Sequence, residues 1–222
     1  MTGAAHVAQS DDVRVLGVQI SSDLSLDKHV NVVNAKCFFQ LRQLRRIRRS
    51  LDDDSVATLV HAFITSQVDY CSSLLIGAPK KTDKLQCVLN SAARQIVSNT
   101  RKFDRGLTHF RRSQLHWLDV VVVDRVRFRV CVQVFRCLHK MAPEYLSTYC
   151  QPVSGISGRR HLRSADRGHL DFPRVKLASY RGRSFAYADP SNWNSLPAHL
   201  RDNSLSLSSF KSHLKTLIFS FY

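Results

Sequence analysis

The chain has 222 residues, of which 44% are hydrophobic and 23% are charged. That composition is typical of a folded globular protein and excludes a fully disordered chain. The charge is unbalanced, because 33 lysines and arginines face 17 acidic residues and leave a net charge of +16. No apolar run reaches the roughly 20 residues of a membrane helix, and residues 1–9 do not resemble a signal peptide. We therefore expect a nuclear or cytoplasmic protein, not secreted and not in a membrane, with a phosphate-rich partner.

The first predicted elements are a short β-strand over residues 13–20, with Gly17 inside it, and a helix over about residues 30–51. The polar side of that helix carries a cluster of cations, namely Lys36, Arg42, Arg45, Arg46 and Arg49. No acidic residue occurs between Lys28 and Leu51. Since like charges repel one another on a helix, we expect this face to bind a phosphate backbone. An ordinary solvated face is the alternative.

Two more helices are predicted to complete a bundle with the first. The acidic run 52–54 suits a helix start, where carboxylates cap free N–H groups. Apolar spacing then favours a helix through Cys71 to Leu75, ended by residues 77–79. A third helix is predicted over about residues 82–98. Its apolar face is formed by Leu85, Leu89, Ala92 and Ile96.

The second half begins with a basic loop at residues 101–106 and an amphipathic stretch to Leu118. Residues 120–138 are apolar nearly all round and predict a buried helix, although its four valines also suit the beginning of a strand. Within it, Arg125, Arg127 and Arg129 alternate and cannot share one helix face. We expect at least one of them to form an internal ion pair, with Asp124 or Glu144 as the candidate partners.

A short helix is predicted from Pro143 to Tyr149. Residues 151–168 combine glycines and serines with cations and predict an exposed basic loop, either a flexible linker or a nucleic-acid-binding arm. Its candidate binding residues are Arg159, Arg160 and Arg163. Residues 170–177 are predicted to be extended, residues 184–200 form an aromatic-rich segment, and a closing helix is predicted over residues 207–219 with Phe210, Leu214 and Leu217 in register.

The sequence contains no recognisable catalytic, metal or cofactor site. The adjacent carboxylates occur only at residues 11–12 and 52–54, and a Tyr-x-Asp-Asp turn is absent. His116-Trp117 is expected to be a packing pair. Cys131, Cys137 and His139 lack zinc-ligand spacing, and the six scattered cysteines are expected to be reduced. Trp193 is expected to pack in a core, with base stacking as the minority interpretation.

Several short strings occur in one order along the chain. They are Asp69-Tyr70-Cys71, Ala92-Ala93-Arg94, Leu115-His116-Trp117-Leu118, Leu162-Arg163-Ser164, Trp193-Asn194-Ser195-Leu196-Pro197 and Ser209-Phe210-Lys211. In this order they resemble the C-terminal end of reverse transcriptases (RNA-directed DNA polymerases) from LINE-type, non-LTR retrotransposons. Val15-Leu16-Gly17-Val18 looks like the strand that closes the palm domain of that family.

The resemblance implies a mainly α fold, with a thumb-like helical bundle after a short N-terminal strand and then a smaller α+β tail region. The expected divisions are a remnant with the palm-closing strand at 1–27, the thumb at 28–100, a helical continuation at 101–150, the basic loop at 151–168 and the tail at 169–222. The thumb is implied to hold a primer–template duplex by its backbone. One departure is an apparent insertion at Val120–Val123.

The family's palm, with its catalytic carboxylates, lies upstream and has no counterpart in this sequence, so we expect no polymerase activity. The expected function is a non-catalytic nucleic-acid-binding fragment that grips RNA, DNA or an RNA–DNA hybrid non-specifically. The alternative is a structural or interaction remnant of a truncated element, which self-associates or once packed on the missing palm domain.

Overall fold

The computed structural model of the protein describes residues 10–96, 122–159, 167–171 and 184–220. It is mainly helical, with a two-stranded antiparallel sheet near the N terminus, which confirms the predicted fold class. The strands are β1 (Asp12–Val15) and β2 (Val18–Ser21). The helices are α1 (Asp27–Ile47), α2 (Asp53–Val60), α3 (Ser66–Asp69), α4 (Pro79–Ile96), α5 (Val122–Leu138), α6 (Glu144–Ser147), α7 (Phe185–Asn194) and α8 (Leu207–Ser220).

The predicted single strand over residues 13–20 is wrong, because the chain reverses in its middle. Leu16 and Gly17 have φ angles of 47° and 84°, which is the pattern of a two-residue turn of type I′. Val15 therefore pairs with Val18 and Asp12 with Ser21. The Tyr70 hydroxyl donates a hydrogen bond of 2.6 Å to the Leu16 carbonyl and holds the turn against the helices.

The first hydrophobic core lies between α1, the α2–α3 segment and α4. Helix α1 buries Val30, Val33, Cys37, Leu41 and Leu44, which recur at helical spacing. Ile47, the next apolar position of that spacing, is 48% exposed. Asp52 caps α2 as predicted, because its side chain accepts the Ser55 N–H at 2.9 Å. A π-helical turn, His61–Thr65, joins α2 to α3.

The second predicted helix ends earlier than expected. Helix α3 stops at Asp69, Cys71 takes a positive φ of 50°, and Ser72–Leu75 forms a 3-10 turn. Pro79, expected to end a helix, instead begins α4. This position suits proline, since the first turn of a helix needs no N–H donor.

Helix α5 joins the first core to a second one. Its N-terminal half contributes Val126 and Val130 to the first core. Its C-terminal half contributes five residues to the second, namely Cys131, Val132, Val134, Phe135 and Cys137. There Phe135 stacks on Phe210 of α8, with ring centroids 4.5 Å apart, and Trp193 of α7 lies 5.7 Å from Phe210. The valines at the start of α5 are thus helical from Val122 onward.

The closing helix α8 buries Phe210, Leu214 and Ile218, while Leu217 is only half-buried. None of the helices described is long and apolar enough to cross a membrane. Some predictions lie outside the described residues: the loop 101–106, the stretch to Leu118 with its His116-Trp117 pair, the first part of the valine insertion, Arg160, Arg163 and the extended segment beyond Asp171.

Candidate nucleic-acid interface

Four arginines at the C-terminal end of α1 form a continuous cationic strip. Arg42, Arg45, Arg46 and Arg49 are all exposed and follow the i, i+3, i+4, i+7 spacing of one helix face. Arg49 lies in the 3-10 turn Arg48–Ser50 that continues the helix. We call these four residues the arginine stripe. It faces away from the core because the buried residues of α1 occupy the opposite side.

Lys36 does not belong to the stripe. It precedes Arg42 by six residues, a rotation of about 240° around the helix. Lys36 instead lines a cleft of about 650 Å³ between the hairpin, α1 and α3, together with Arg14, His29 and Tyr70. Burial, and then the charge of Lys36, lower the pKa of His29. The predicted cationic cluster is therefore divided over two neighbouring surfaces.

The cations of these surfaces differ in how far described carboxylates compensate them. In the described part of the chain, no carboxylate lies within 4 Å of Lys36, Arg42, Arg46 or Arg49. Their neighbour Arg48 is different, because it forms an ion pair with Asp53 and donates to the Leu51 carbonyl at 2.9 Å. The negative end of the α1 dipole stabilises cations in its last turn.

Phe39 is a candidate that the sequence analysis missed. It is 51% exposed and precedes Arg42 and Arg46 by three and seven residues, so it lies on the same face as the stripe. In the sequence, Phe39 falls outside the helical spacing of the buried residues of α1, and this position could have identified it as exposed. An exposed aromatic ring beside cations is the arrangement on which nucleic-acid bases stack.

The basic loop contributes one described candidate, and it is internally paired. Arg159 forms an ion pair with Asp171 at 2.6 Å, with both side chains about half exposed. The ends of this loop are also held together, since the N–H of Val153 donates to the His169 carbonyl at 3.0 Å and that of Asp171 to the Gln151 carbonyl at 2.9 Å. Such an exposed pair adds little stability. Because Arg159 is already paired with a carboxylate, it is a weaker candidate for phosphate binding than the stripe.

The string Asp69-Tyr70-Cys71 has a structural role. The Asp69 carboxylate bridges two arginines of α5, at 2.5 Å from Nε of Arg125 and 2.8 Å from Nη2 of Arg129. This confirms that one of the alternating arginines is an internal ion-pair partner. The expected partners, Asp124 and Glu144, were wrong, since the carboxylate that Arg125 and Arg129 share is that of Asp69. Asp69 lies 56 residues from Arg125 in sequence, so local reasoning does not reach it.

The string from Trp193 to Pro197 also holds the core together. Trp193 is 1% exposed, and its indole N–H donates to the Gly168 carbonyl at 3.1 Å. Base stacking on Trp193 is therefore wrong. The Asn194 amide exchanges two hydrogen bonds of 2.8 Å with the backbone of Leu170. Arg127 donates to the Ser195 hydroxyl at 2.9 Å, which ties this turn to α5.

No reactive cluster emerges within the described ranges. They contain no group of three or more His, Cys, Asp or Glu side chains that could hold a metal. Asp69 and Asp189 line one cavity of about 440 Å³, but Asp69 is engaged by its two arginines. Burial raises the pKa of Cys37 to about 11 and that of Cys131 to about 12, so these thiols are not nucleophiles at neutral pH.

The chain matches no protein-family model, no curated protein and no solved structure.

Proposed function

We propose that this protein is a non-catalytic nucleic-acid-binding fragment of a LINE-type reverse transcriptase, and that it acts in the nucleus or cytoplasm. It binds RNA, DNA or an RNA–DNA hybrid through the phosphate backbone. The observation that carries this proposal is the arginine stripe, in which Arg42, Arg46 and Arg49 have no carboxylate partner among the described residues. An anionic partner relieves the mutual repulsion of these side chains.

The geometry of α1 favours a polyanion over a single small anion. Buried residues from Val30 to Leu44 fix the helix on the core, and the stripe begins within this part of the helix and continues past its end. From Arg42 to Arg49 the rise is about 10 Å, at about 1.5 Å per residue. Along the axis of a duplex, that length corresponds to about three phosphates of one strand, because each phosphate adds an axial rise of about 3.4 Å.

Phe39 extends the proposal to single strands. A phenyl ring beside the stripe stacks on an unpaired base while the arginines bind the flanking phosphates. Both contacts are independent of sequence, which fits non-specific binding. A duplex offers the same phosphates but no exposed base face except at its end.

The proposal is tested by measuring binding over a range of salt concentrations. The double variant Arg42→Gln/Arg46→Gln removes two phosphate contacts, so the slope of log K against log salt on a single strand is expected to fall by about 1.4. Phe39→Ala is expected to weaken single-strand binding by about tenfold, the loss of about 1.4 kcal/mol of stacking, and to leave the salt slope unchanged. Fluorescence anisotropy with a labelled oligonucleotide measures both quantities.

The matched control removes two exposed cations far from the stripe. Arg136 and Lys140 lie at the end of α5, and Arg136→Gln/Lys140→Gln changes net charge by the same amount. If this control reduces affinity as much as the stripe variant, binding reflects net charge alone and the proposed site is wrong. Absence of binding by the wild-type protein at low salt also refutes the proposal.

A structural or interaction remnant is the second candidate. One observation favours it: the hairpin exposes apolar side chains, with Val13 55%, Val15 47% and Leu16 83% accessible. An unpaired edge strand with apolar residues is prone to pair with another chain. Light scattering over a range of protein concentrations tests this candidate, and a Val13→Lys variant that abolishes a concentration-dependent dimer would support it.

A further inference from the structure

A second cationic cleft lies on the opposite half of the molecule from the arginine stripe. It has a volume of about 530 Å³ and is built from three segments: residues 152–154, 167–170 and 198–203. Arg167, Gly168, His199 and Arg201 form its polar wall. Its hydrophobic floor is part of the second core, and no residue of α1 lines it.

Arg201 is the central feature of this cleft, because it is buried and forms no ion pair with a carboxylate of the described residues. It is 9% exposed. Its Nε donates to the Arg167 carbonyl at 2.8 Å, and its Nη1 donates to the carbonyls of Asn194, at 3.0 Å, and Leu196. A guanidinium has five N–H donors. The two on Nη2 have no partner among the described residues, and no carboxylate there forms an ion pair with Arg201.

The groups around Arg201 add positive charge rather than compensating it. Arg167 and His199 are exposed at the cleft. Burial, and then the charge of Arg167, lower the pKa of Arg201. Burial, followed by the charges of Arg201 and Arg167, also lowers the pKa of His169. Burying a charge is costly unless it is paired, so a bound anion would stabilise this site.

Among the residues that the structure describes, one carboxylate lines the cleft, and it is already engaged. The Asp202 side chain accepts the Ser204 N–H at 2.9 Å. This hydrogen bond turns the carboxylate toward its own loop, and within the described residues it makes no ion pair with Arg201. Asp202 therefore leaves the charge of the buried guanidinium uncompensated.

The wall of the cleft is fixed before any ligand arrives. Gly168 has a φ of 65°, and a Cβ at this position would lie 3.2 Å from the Arg201 carbonyl. Its own carbonyl accepts the Trp193 indole N–H. The backbone beside Arg201 is thus held by the aromatic core, and the free Nη2 donors keep one orientation. Such preorganisation lowers the entropic cost of binding.

We propose that this cleft is a phosphate-binding site, in which Nη2 of Arg201 and the side chain of Arg167 bind the oxygens of one phosphate group. Guanidinium groups bind phosphate oxygens through paired N–H donors, and His199 adds a third donor at the rim. The site goes beyond the proposed function, because it lies on the other core and binds inorganic phosphate whether or not the stripe binds nucleic acid. A free phosphate and a nucleic-acid phosphodiester offer the same chemistry here.

The test is an NMR titration of the full chain with inorganic phosphate, against sodium chloride at equal ionic strength. Saturable shifts of the Arg201 Nε–H and the Gly168 N–H are expected with phosphate but not with chloride. Saturating phosphate is also expected to raise the pKa of His169, since it neutralises two charges that lower this pKa. A purely structural Arg201 would give neither result.

Two variants keep the test independent of folding. Arg167→Gln leaves the backbone carbonyl that Arg201 uses, and it is expected to weaken phosphate binding by about tenfold. Arg136→Gln removes an exposed cation outside the cleft and is expected to have no effect. Equal effects of the two variants, or equal shifts with phosphate and chloride, overturn the proposal.

A third measurement identifies the source of the phosphate. A short single-stranded oligonucleotide without terminal phosphates is added to the Arg42→Gln/Arg46→Gln protein. Shifts at Arg201 assign the site to a backbone phosphodiester, whereas shifts with inorganic phosphate alone assign it to a free phosphate. Because the stripe is altered in this protein, failure of the proposed function and failure of this site give different results.

Discussion

Asp189 provides a quantitative test of the second core, because its carboxylate is buried and has no partner in the described part of the chain. It lies on α7, is 5% exposed, and makes no hydrogen bond or ion pair with any other described residue. Burial raises its pKa from 3.8 to about 7. The folded protein therefore holds a proton that the unfolded chain releases near pH 4. The substitution Asp189→Asn keeps nearly the same side-chain shape and removes the charge.

The sign and size of the effect follow from proton linkage. A raised folded-state pKa stabilises the protein fully below the unfolded pKa, and this contribution is lost as pH rises toward 7. With the two pKa values above, the carboxyl group is expected to remove about 2.6 kcal/mol of unfolding free energy between pH 5 and pH 8. Asp189→Asn removes this dependence, so the variant gains stability relative to wild type as pH rises.

Histidines change the wild-type curve in the opposite direction. Burial lowers the pKa values of His29, His61 and His169, so their contribution is lost at acid pH and recovered as pH rises through about 6.5. These histidines are present in both proteins. The difference between wild type and variant at each pH therefore isolates Asp189.

Urea unfolding followed by far-UV circular dichroism at pH 5, 6, 7 and 8 gives the free energies. The difference between variant and wild type is expected to grow by about 2.6 kcal/mol from pH 5 to pH 8. An NMR titration of the Asp189 carboxyl carbon gives the pKa directly, with a midpoint near 7 expected. Parallel stability curves, or a midpoint near 4, would refute the reasoning.

Two further changes test the contacts that position the helices. Asp69→Asn is expected to lower the unfolding free energy by about 3 kcal/mol, because it leaves two arginines of α5 without their shared carboxylate. If urea unfolding shows a loss below about 1 kcal/mol, these ion pairs contribute no more than exposed surface pairs do. Gly168→Ala is expected to cost about 2 kcal/mol, since it places a Cβ in a positive-φ position against the Arg201 carbonyl. Gly155→Ala is the matched control, because its Cβ would meet no atom within 4 Å. If thermal unfolding shows the same loss of stability for both variants, the predicted strain at Gly168 is wrong.

Helical periodicity predicted most of the residues that the helices bury, although in the closing helix Ile218 is buried and the expected Leu217 is only half-buried. The five buried residues of α1 are those that the spacing selects, because a regular helix fixes which side chains share a face. The hairpin was missed for a local reason. Leu16 occupies a positive-φ position that leucine rarely adopts, so the turn lacks the Asn-Gly or Asp-Gly pair that marks such hairpins in a sequence.

Contacts between distant segments were beyond sequence reasoning. Asp69 meets Arg125 because the Ser72–Leu75 turn that follows α3 packs on α5, and no local pattern encodes this pairing. In the same way, the sequence placed Lys36 with the arginines, whereas the rotation of α1 moves it to the hairpin cleft. Predicting the candidate site thus required the position of each residue around the helix axis in addition to its charge.

The position of α5 across both hydrophobic clusters has a consequence for how the protein unfolds. One helix supplies Val130 to the first cluster and Cys131 to the second, so fraying of α5 exposes apolar surface on both sides at once. The two halves are therefore expected to behave as one cooperative unit, or foldon, with a common opening free energy in hydrogen exchange. A chain cut within α5 would leave each half with an incomplete interior.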